Sequence, residues 1–268
     1  MIRYLMPNER NLARDLWEKI FVEDSPRFLD AYEEIKRDNV ILADLEDGKA
    51  AAMLQCNPYS IVQGHGRPGH AHYIVGVSTL PEMRHQHRMT LLLEHALKDL
   101  NAAGEPFAFL MPADEAIYTP FDFVTVFQMD FAQSTQIDGA FDWTPGQETT
   151  EDEAPHRAGT MEITLQKARP AGDAVLATLA NDILTKRADV FCRRSMSYFR
   201  SLRREMQSEN GEIFWVFGQM LGEDEASMLG YLAAWPGEDT DEGRRPAAIR
   251  EIVCKQEAAV RQALQISP

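Results

Sequence analysis

Apolar positions recur along this chain at two periods, and the changes from one period to the other mark out its elements. Tyr73–Leu80 is rich in Val and Ile and halts at Pro81, which cannot continue a ladder, so it reads as a strand. Met89, Leu92, Leu93, Ala96, Leu97 and Leu100 then recur at helical spacing, and Gly104 supplies the stop. Pro106–Met111 is an apolar run of the length of one buried strand. Strand, helix and strand in that order predict a βαβ unit with parallel strands.

Ahead of this unit the pattern predicts a strand over Ile2–Leu5 and a helix capped by Asn8, with Leu12, Leu16, Ile20 and Phe21 on one face and Trp17 beside it. A second helix, Ser25–Arg37, carries Phe28, Leu29, Tyr32 and Ile35 at helical spacing and has Pro26 in its first turn. Val40–Leu45 and Ala50–Ile61, joined by Glu46-Asp47-Gly48-Lys49, form a hairpin signal with an Asp-Gly turn. Gly64–His72 reads as a Gly/Pro loop. Its three histidines invite a metal reading, but no Cys or acidic ligand lies alongside, and a loop joining two strands is the preferred one.

After the unit, Val124–Phe131 reads as a strand, which puts Tyr118 in a loop between two strands. Gln136–Gly159 is acidic and rich in Pro, Gly and Thr, the composition of a linker. Beyond it come a strand at Thr160–Lys167 and a long helical region, Asp173–Ser208, interrupted near Arg193-Arg194-Ser195. Three strands, Gly211–Phe217, Ser227–Trp235 and Ala247–Cys254, and a helix at Lys255–Gln265 close the chain. The expected organisation is an α/β (α+β) protein with a first domain over 1–135, a linker over 136–159 and a second domain over 160–268.

Composition narrows the partners. The chain has 268 residues, 44% of them hydrophobic and 26% charged, as in ordinary globular proteins. Forty-two acidic residues against 27 basic ones give a formal net charge of -15, which disfavours nucleic acid and anionic membrane as partners and suits a cationic ligand. Cys56, Cys192 and Cys254 are few and far apart, so a disulfide framework is not expected and a cytoplasmic location is. No apolar run has membrane-spanning length, and the N-terminal segment lacks the hydrophobic core of a signal peptide. Self-association into a homo-oligomer is allowed.

Against this negative background Arg84, His85, His87 and Arg88 gather between the Tyr73–Leu80 strand and its helix. The first turn of a helix offers backbone N–H groups without partners, a setting for an anion. A solvated surface turn accounts for the same residues. The order V-x-x-x-P-x-x-R over Val77–Arg84, an amphipathic helix, a strand, and then Ile117-Tyr118-Thr119-Pro120-Phe121 resembles the GNAT superfamily of acyl-CoA-dependent N-acetyltransferases, and within it the Eis-like (enhanced intracellular survival) branch. The match runs over Gly76–Phe123. It departs from the family in two places. The pyrophosphate loop, R/Q-x-x-G-x-G/A in the family, is here Arg84-His85-Gln86-His87-Arg88-Met89, and the glycine after the tyrosine is replaced by Asp122.

The resemblance implies a GNAT-type mixed, twisted sheet flanked by helices and an activity that transfers acetyl from acetyl-CoA to a primary amine. It assigns the cofactor to Val77, Ser78, Thr79, Arg84, His85, Gln86, His87, Arg88, Met89 and Thr90. It assigns Tyr118 the protonation of the departing thiolate, a role for which a phenol of reference pKa about 10 is suited; a half-buried loop aromatic is the other reading of this residue. The first two helices and their connection border the acceptor in the family, which makes Trp17, Phe21, Asp24 and Phe28 candidate acceptor contacts, and charge adds Glu115; core packing is the alternative for the aromatic ones. With the net charge, the expected acceptor is a cationic small-molecule or peptide amine: a polyamine, an aminoglycoside or a lysine side chain. No metal is implied. Asn210-Gly211-Glu212, Gly230-Tyr231 and Arg250-Glu251-Ile252-Val253 resemble the second of the branch's two tandem acetyltransferase-like domains, whose copy lacks a working cofactor site. Family members finish that copy and add a sterol-carrier-like domain, whereas this chain stops at Pro268, so the second domain is expected to be incomplete. A catalytically inactive relative that serves as a binding or assembly module is the alternative function.

Overall fold

In the computed structural model of the protein, which describes residues 1–126, 132–134, 156–237 and 246–266, two units form, each around its own sheet. The first comprises Met1–Gln128 with Val190–Cys192, the second Met129–Asp189 with Arg193–Pro268.

In the first unit the sheet runs in the order β1 (Ile2–Tyr4), β2 (Val40–Glu46), β3 (Lys49–Gln63), β4 (Arg67–Thr79) and β5 (Ala108–Phe109). Its ladders are antiparallel except the last, where β4 and β5 lie parallel as the βαβ pattern predicts. Asp47 and Gly48 close the β2–β3 hairpin with φ of 51° and 77°, the left-handed pair that an Asp-Gly turn supplies. Helices α1 (Arg10–Ile20) and α2 (Pro26–Ile35) cover one face, with Leu16, Trp17 and Leu29 buried against Ile41, Ala43 and Met53. Helix α3 (Arg88–Ala102) covers the other, with Leu92, Leu93 and Ala96 against Leu42, Leu54 and Ile74. Ser25 caps α2 by accepting from the Phe28 N–H at 3.1 Å.

Several boundaries differ from expectation. Asn8 does not cap α1: a short 3-10 turn, Pro7–Glu9, leads into the helix, and the Glu9 carboxylate accepts from the Met6 N–H at 2.9 Å. The expected Gly64–His72 loop is mostly strand, because Arg67–His72 continues β4 alongside β3, with only Gly64–Gly66 turning. Pro68 pairs with Val62 on a stretch of β4 whose outer edge has no described partner before His72, an edge position where proline is tolerated. The Pro106–Met111 run contributes only the two residues of β5. Val124–Val126 has no regular structure, and the remainder of that expected strand lies outside the described residues, as does most of the expected linker.

In the second unit the strand order is β6 (Ala132–Ser134), β12 (Ala247–Cys254), β11 (Ser227–Pro236), β10 (Glu212–Met220), β8 (Met161–Lys167) and β7 (His156–Ala158), antiparallel throughout. Helices α4 (Asp173–Leu184) and α5 (Met196–Ser208) bury Leu176, Phe199 and Leu202 on one face of this sheet, and α6 (Glu257–Ala263) buries Val260 and Ala263 on the other. The interruption expected near Arg193 separates α4 from α5. It also contains β9 (Phe191–Cys192), which pairs with β3 and so belongs to the first sheet. No described helix is long and apolar enough to cross a membrane.

Candidate functional site

The ladder between β4 and β5 consists of His72 with Ala108 and Tyr73 with Phe109, and then it ends. From Ile74 to Thr79 the edge of β4 away from β3 pairs with no described strand. An open edge in the interior of a sheet offers main-chain donors and acceptors to whatever lies along it. The register with β3 breaks here as well: Val75 lies opposite Gln55 and Ser78 opposite Met53, a bulge at Gly76 and Val77. Gly76 has φ +61°, and a Cβ there would lie 2.5 Å from the Trp17 ring, so both the backbone and the indole require glycine. The buried Ser78 hydroxyl donates to the Gly76 carbonyl at 3.2 Å across the bulge, while Val77 and Thr79 are half-buried.

Beyond the strand, Pro81–Met83 forms a 3-10 turn and the chain enters α3 through two left-handed residues, His85 (φ 62°) and His87 (φ 58°). His87 stands where the resembled family has glycine and holds the conformation that glycine would. Histidine visits this region more readily than most side chains. The first-turn N–H groups of Arg88, Met89 and Thr90 follow directly, and His87 makes no side-chain cap bond to them. Arg84, His85, Gln86 and His87 are exposed. Arg88 is not a free cation: its guanidinium donates to Asp44 at 2.6 Å and also pairs with Glu46. Its charge therefore fixes the turn to β2, and Arg84 is the exposed arginine of the turn. Asp44 is held below the usual carboxylate range: burial opposes this, but the Met1 amino group and Arg88 outweigh it.

Tyr118 sits between two 3-10 turns, Glu115–Ile117 and Thr119–Phe121. Asp114 caps the first by accepting from the Ala116 N–H at 2.9 Å, and Asp122 ends the second with φ 62°, again left-handed where the family has glycine. The half-buried ring packs on the α3-side core with Val77, Met89 and Phe121, and meets Phe123 edge-on at 5.9 Å. Its hydroxyl bonds to no other described residue. Burial raises its pKa, which keeps the proton on the phenol at neutral pH.

The expected acceptor contacts fall differently. Trp17 is buried, and its indole N–H donates to Asp24 at 2.7 Å; Phe28 stacks on Tyr32 and packs into the same core. Four of the five are thus engaged with the fold, Phe21 through that same core, and Glu115 alone is exposed. Sequence reasoning passed over a polar network beneath α2: Tyr32 donates to Gln55 at 3.1 Å, and Asn39 donates to Gln55 at 2.6 Å. Gln55 and Asn57 interrupt an otherwise apolar strand, and that interruption was the available signal.

Residues 1–126 match the family model of the acetyltransferase (GNAT) domain. The match covers the whole of this site, from the bulge of β4 through the turn to Tyr118. Among solved structures the chain is similar to a conserved protein of unknown function from Enterococcus faecalis (16% identity, TM-score 0.65, covering 89% of this chain and 56% of that one). It is similar to Eis1 from Mycobacterium abscessus (17%, 0.60, 99% and 61%) and to a GCN5-related N-acetyltransferase from Anabaena variabilis (15%, 0.62, 97% and 60%). At these identities the likeness is one of fold: a GNAT-type α/β fold. The chain spans 56%, 61% and 60% of the length of these three proteins. No curated protein matches it.

Proposed function

We propose that the first unit is an acetyl-CoA-dependent N-acetyltransferase acting on a primary amine. The observation that carries this reading is the convergence of an open β4 edge, a left-handed turn at the start of α3, and a tyrosine hydroxyl without a partner among the described residues. The GNAT match over residues 1–126 supports it. In this reading acetyl-CoA supplies the activated acetyl group, and the chain's residues hold it and manage protons. The backbone of Val77, Ser78 and Thr79 lines the thioester along the free edge. The turn from Arg84 to Thr90 faces the pyrophosphate, with successive N–H groups and the exposed Arg84, His85 and His87. Tyr118 donates its proton from Oη to the departing thiolate and regains one from solvent, while the neutral amine forms the new C–N bond and loses a proton.

The repeated element order and the motifs at Asn210–Glu212 and Arg250–Val253 support placing the chain in the Eis-like branch, with 160–268 as a second acetyltransferase-like domain, and the few, scattered cysteines support a cytoplasmic location. The net charge and Glu115 favour a cationic acceptor, whereas the surroundings of Lys36 favour one that carries a carboxylate. The inactive-module alternative draws on the missing glycines, yet His87 and Asp122 keep left-handed backbones, a region that glycine enters without cost. Titration calorimetry with acetyl-CoA tests the proposal: saturable binding, with free thiol released once an amine is added, is expected. Absence of binding by the folded protein would sink it.

A further inference from the structure

On β3, Met53, Gln55, Asn57 and Tyr59 alternate onto the face shared with α1 and α2, since Met53 joins their core and Gln55 bonds Tyr32 of α2. Tyr73 pairs with Asn57 and carries Phe109 beside it, so these side chains share that face. The result is a group of four rings: Tyr73 and Phe109 with centroids 5.3 Å apart, Tyr59 at 5.6 Å from Phe109, and Phe107 at 6.3 Å from it. None of these rings joins any of the four core clusters, and Phe107 is 37% exposed. The group ends at the Tyr73–Phe109 pair, the very point where β4 and β5 part.

At its other end stands Lys36. Its ammonium donates to the Tyr59 hydroxyl at 3.0 Å and lies 4.7 Å from the centre of that ring. No described carboxylate forms an ion pair with this half-buried cation, in a chain of net charge -15. Arg10, the other cation nearby, is accounted for: it donates to the Lys36 carbonyl and the Asn39 side chain, closing the C-terminal end of α2. The Lys36 ammonium has the Tyr59 hydroxyl and ring as its described partners, and no described anion.

An amine can reach a thioester on the β4 edge from either face of the sheet. The α3 face is filled by Tyr118, Phe121, Phe123 and α3 itself. We propose that the acceptor lies on the opposite face, its apolar or aromatic body against Tyr73, Phe109 and Phe107 and an anionic group on Lys36. The acceptor is then an aromatic or apolar amine bearing a carboxylate, such as an aromatic amino acid, and Lys36 sets that preference. The inference rests on the acetyltransferase reading for where the thioester lies, but the binding of such a compound does not depend on it.

The test is therefore direct binding of L-phenylalanine, L-phenylalaninamide and spermidine to the full chain, by ligand-observed NMR and calorimetry, beside a separate titration with acetyl-CoA. Phenylalanine should bind more tightly than its amide and than spermidine. Lys36→Ala should weaken phenylalanine about tenfold to hundredfold, the range of a charge-assisted contact, with the amide little changed, and Lys36→Arg should restore most of the loss. Phe109→Leu should weaken phenylalanine and its amide together. If spermidine binds best, or Lys36→Ala leaves phenylalanine binding unchanged in a folded protein, the inference is overturned. Loss of acetyl-CoA binding alone would overturn the enzymatic reading and not this one.

Discussion

The two units use one order of elements, strand, two helices, three strands and a helix, and they differ most where the last of those strands enters its helix. In the first unit eight residues, 80–87, lie between β4 and α3, and two of them are left-handed histidines. In the second, Lys255 and Gln256 alone join β12 to α6, a helix of seven residues. Arg187 also occupies that corner, donating to Glu257 at 2.7 Å and to the Cys254 carbonyl. A guanidinium of the chain's own thus stands where the first unit leaves backbone N–H groups and exposed cations. On the proposed reading, the anion site comes not from the scaffold but from the length of one connection and its exposed cations, since Gln256 of the shorter one is left-handed too.

The polar groups beneath the helices differ in a parallel way. The first unit has amides and a phenol there, with Arg10 donating to the Asn39 amide and no carboxylate among the described partners. The second has Arg194 on Glu251 at 3.0 Å, with Tyr198 and Tyr231 both donating to that carboxylate. Burial first, and Glu251 next, push both phenols well above their usual range. Removing one member of such a cluster would leave a buried charge uncompensated, so the arrangement serves the fold.

The contrast can be tested from its strongest consequence downward. If the first unit alone carries chemistry, Tyr118→Phe should lower kcat by roughly tenfold to ten-thousandfold with acetyl-CoA affinity nearly unchanged. Tyr198→Phe in the second unit should alter stability and not kcat. An unaltered kcat in Tyr118→Phe, with chemistry shown to be rate-limiting, removes Tyr118 from its role.

Next in size is Gly76→Ala. The new Cβ meets Trp17, and the backbone is left-handed, so a loss of about 3 kcal/mol is expected in chemical denaturation of the first unit. A loss under about 1 kcal/mol would mean that the indole moves aside freely.

The two arginines of the turn should separate. Arg88→Ala should reduce stability, and the reduction should shrink in acid. Asp44 has a folded pKa below its unfolded value, so its contribution is present above the ordinary carboxylate pKa, about 4, and is lost as pH falls through the depressed one. Arg84→Ala should instead leave stability alone, weaken acetyl-CoA a few fold and flatten its salt dependence. Equal effects of both substitutions on affinity would contradict this division.

Smallest is the histidine. Relative to His87→Ala, His87→Gly should be more stable by about 1 kcal/mol, because only glycine enters the left-handed region without cost. Acetyl-CoA affinity should follow the same order. If Ala and Gly behave alike, conformation is not what the turn demands of that position.

Much of the fold was legible because its periods are clean. Met89 to Leu100 marked α3, and Ala247–Cys254 marked β12 to the residue. What escaped was decided by partners far away in sequence. Arg67–His72 looked like a loop because Gly and Pro are poor strand formers, yet the long β3 beside it supplies the ladder. The candidate site divides along the same line. Its backbone parts were legible as motifs, whereas the task of each side chain depends on what tertiary structure brings near. Arg88 looked like a ligand for phosphate until Asp44 and Glu46 came beside it. Trp17 and Asp24 carried the resemblance's acceptor role in sequence, and their mutual hydrogen bond could not be read there. Lys36 and Tyr59 carried no motif at all.

The bulge at Gly76 and Val77 makes β4 a text read in two frames. Up to Val75, odd positions face α1 and α2; past the bulge Val77 packs on the α3 side and Ser78 lies opposite Met53 of the α1 side. A deletion of Gly76 alone would leave composition, charge and hydrophobicity almost untouched, yet it would restore one frame. Val77 would then lie opposite Leu54, with Ser78 still opposite Met53 and Thr79 still opposite Ala52, so the faces would stay and the bulge at the open edge would be lost. Away from the bulge this strand cannot gain or lose one residue and keep both the aromatic face and the tyrosine face in step, whereas a loss at Gly76 keeps the faces and removes the bulge itself.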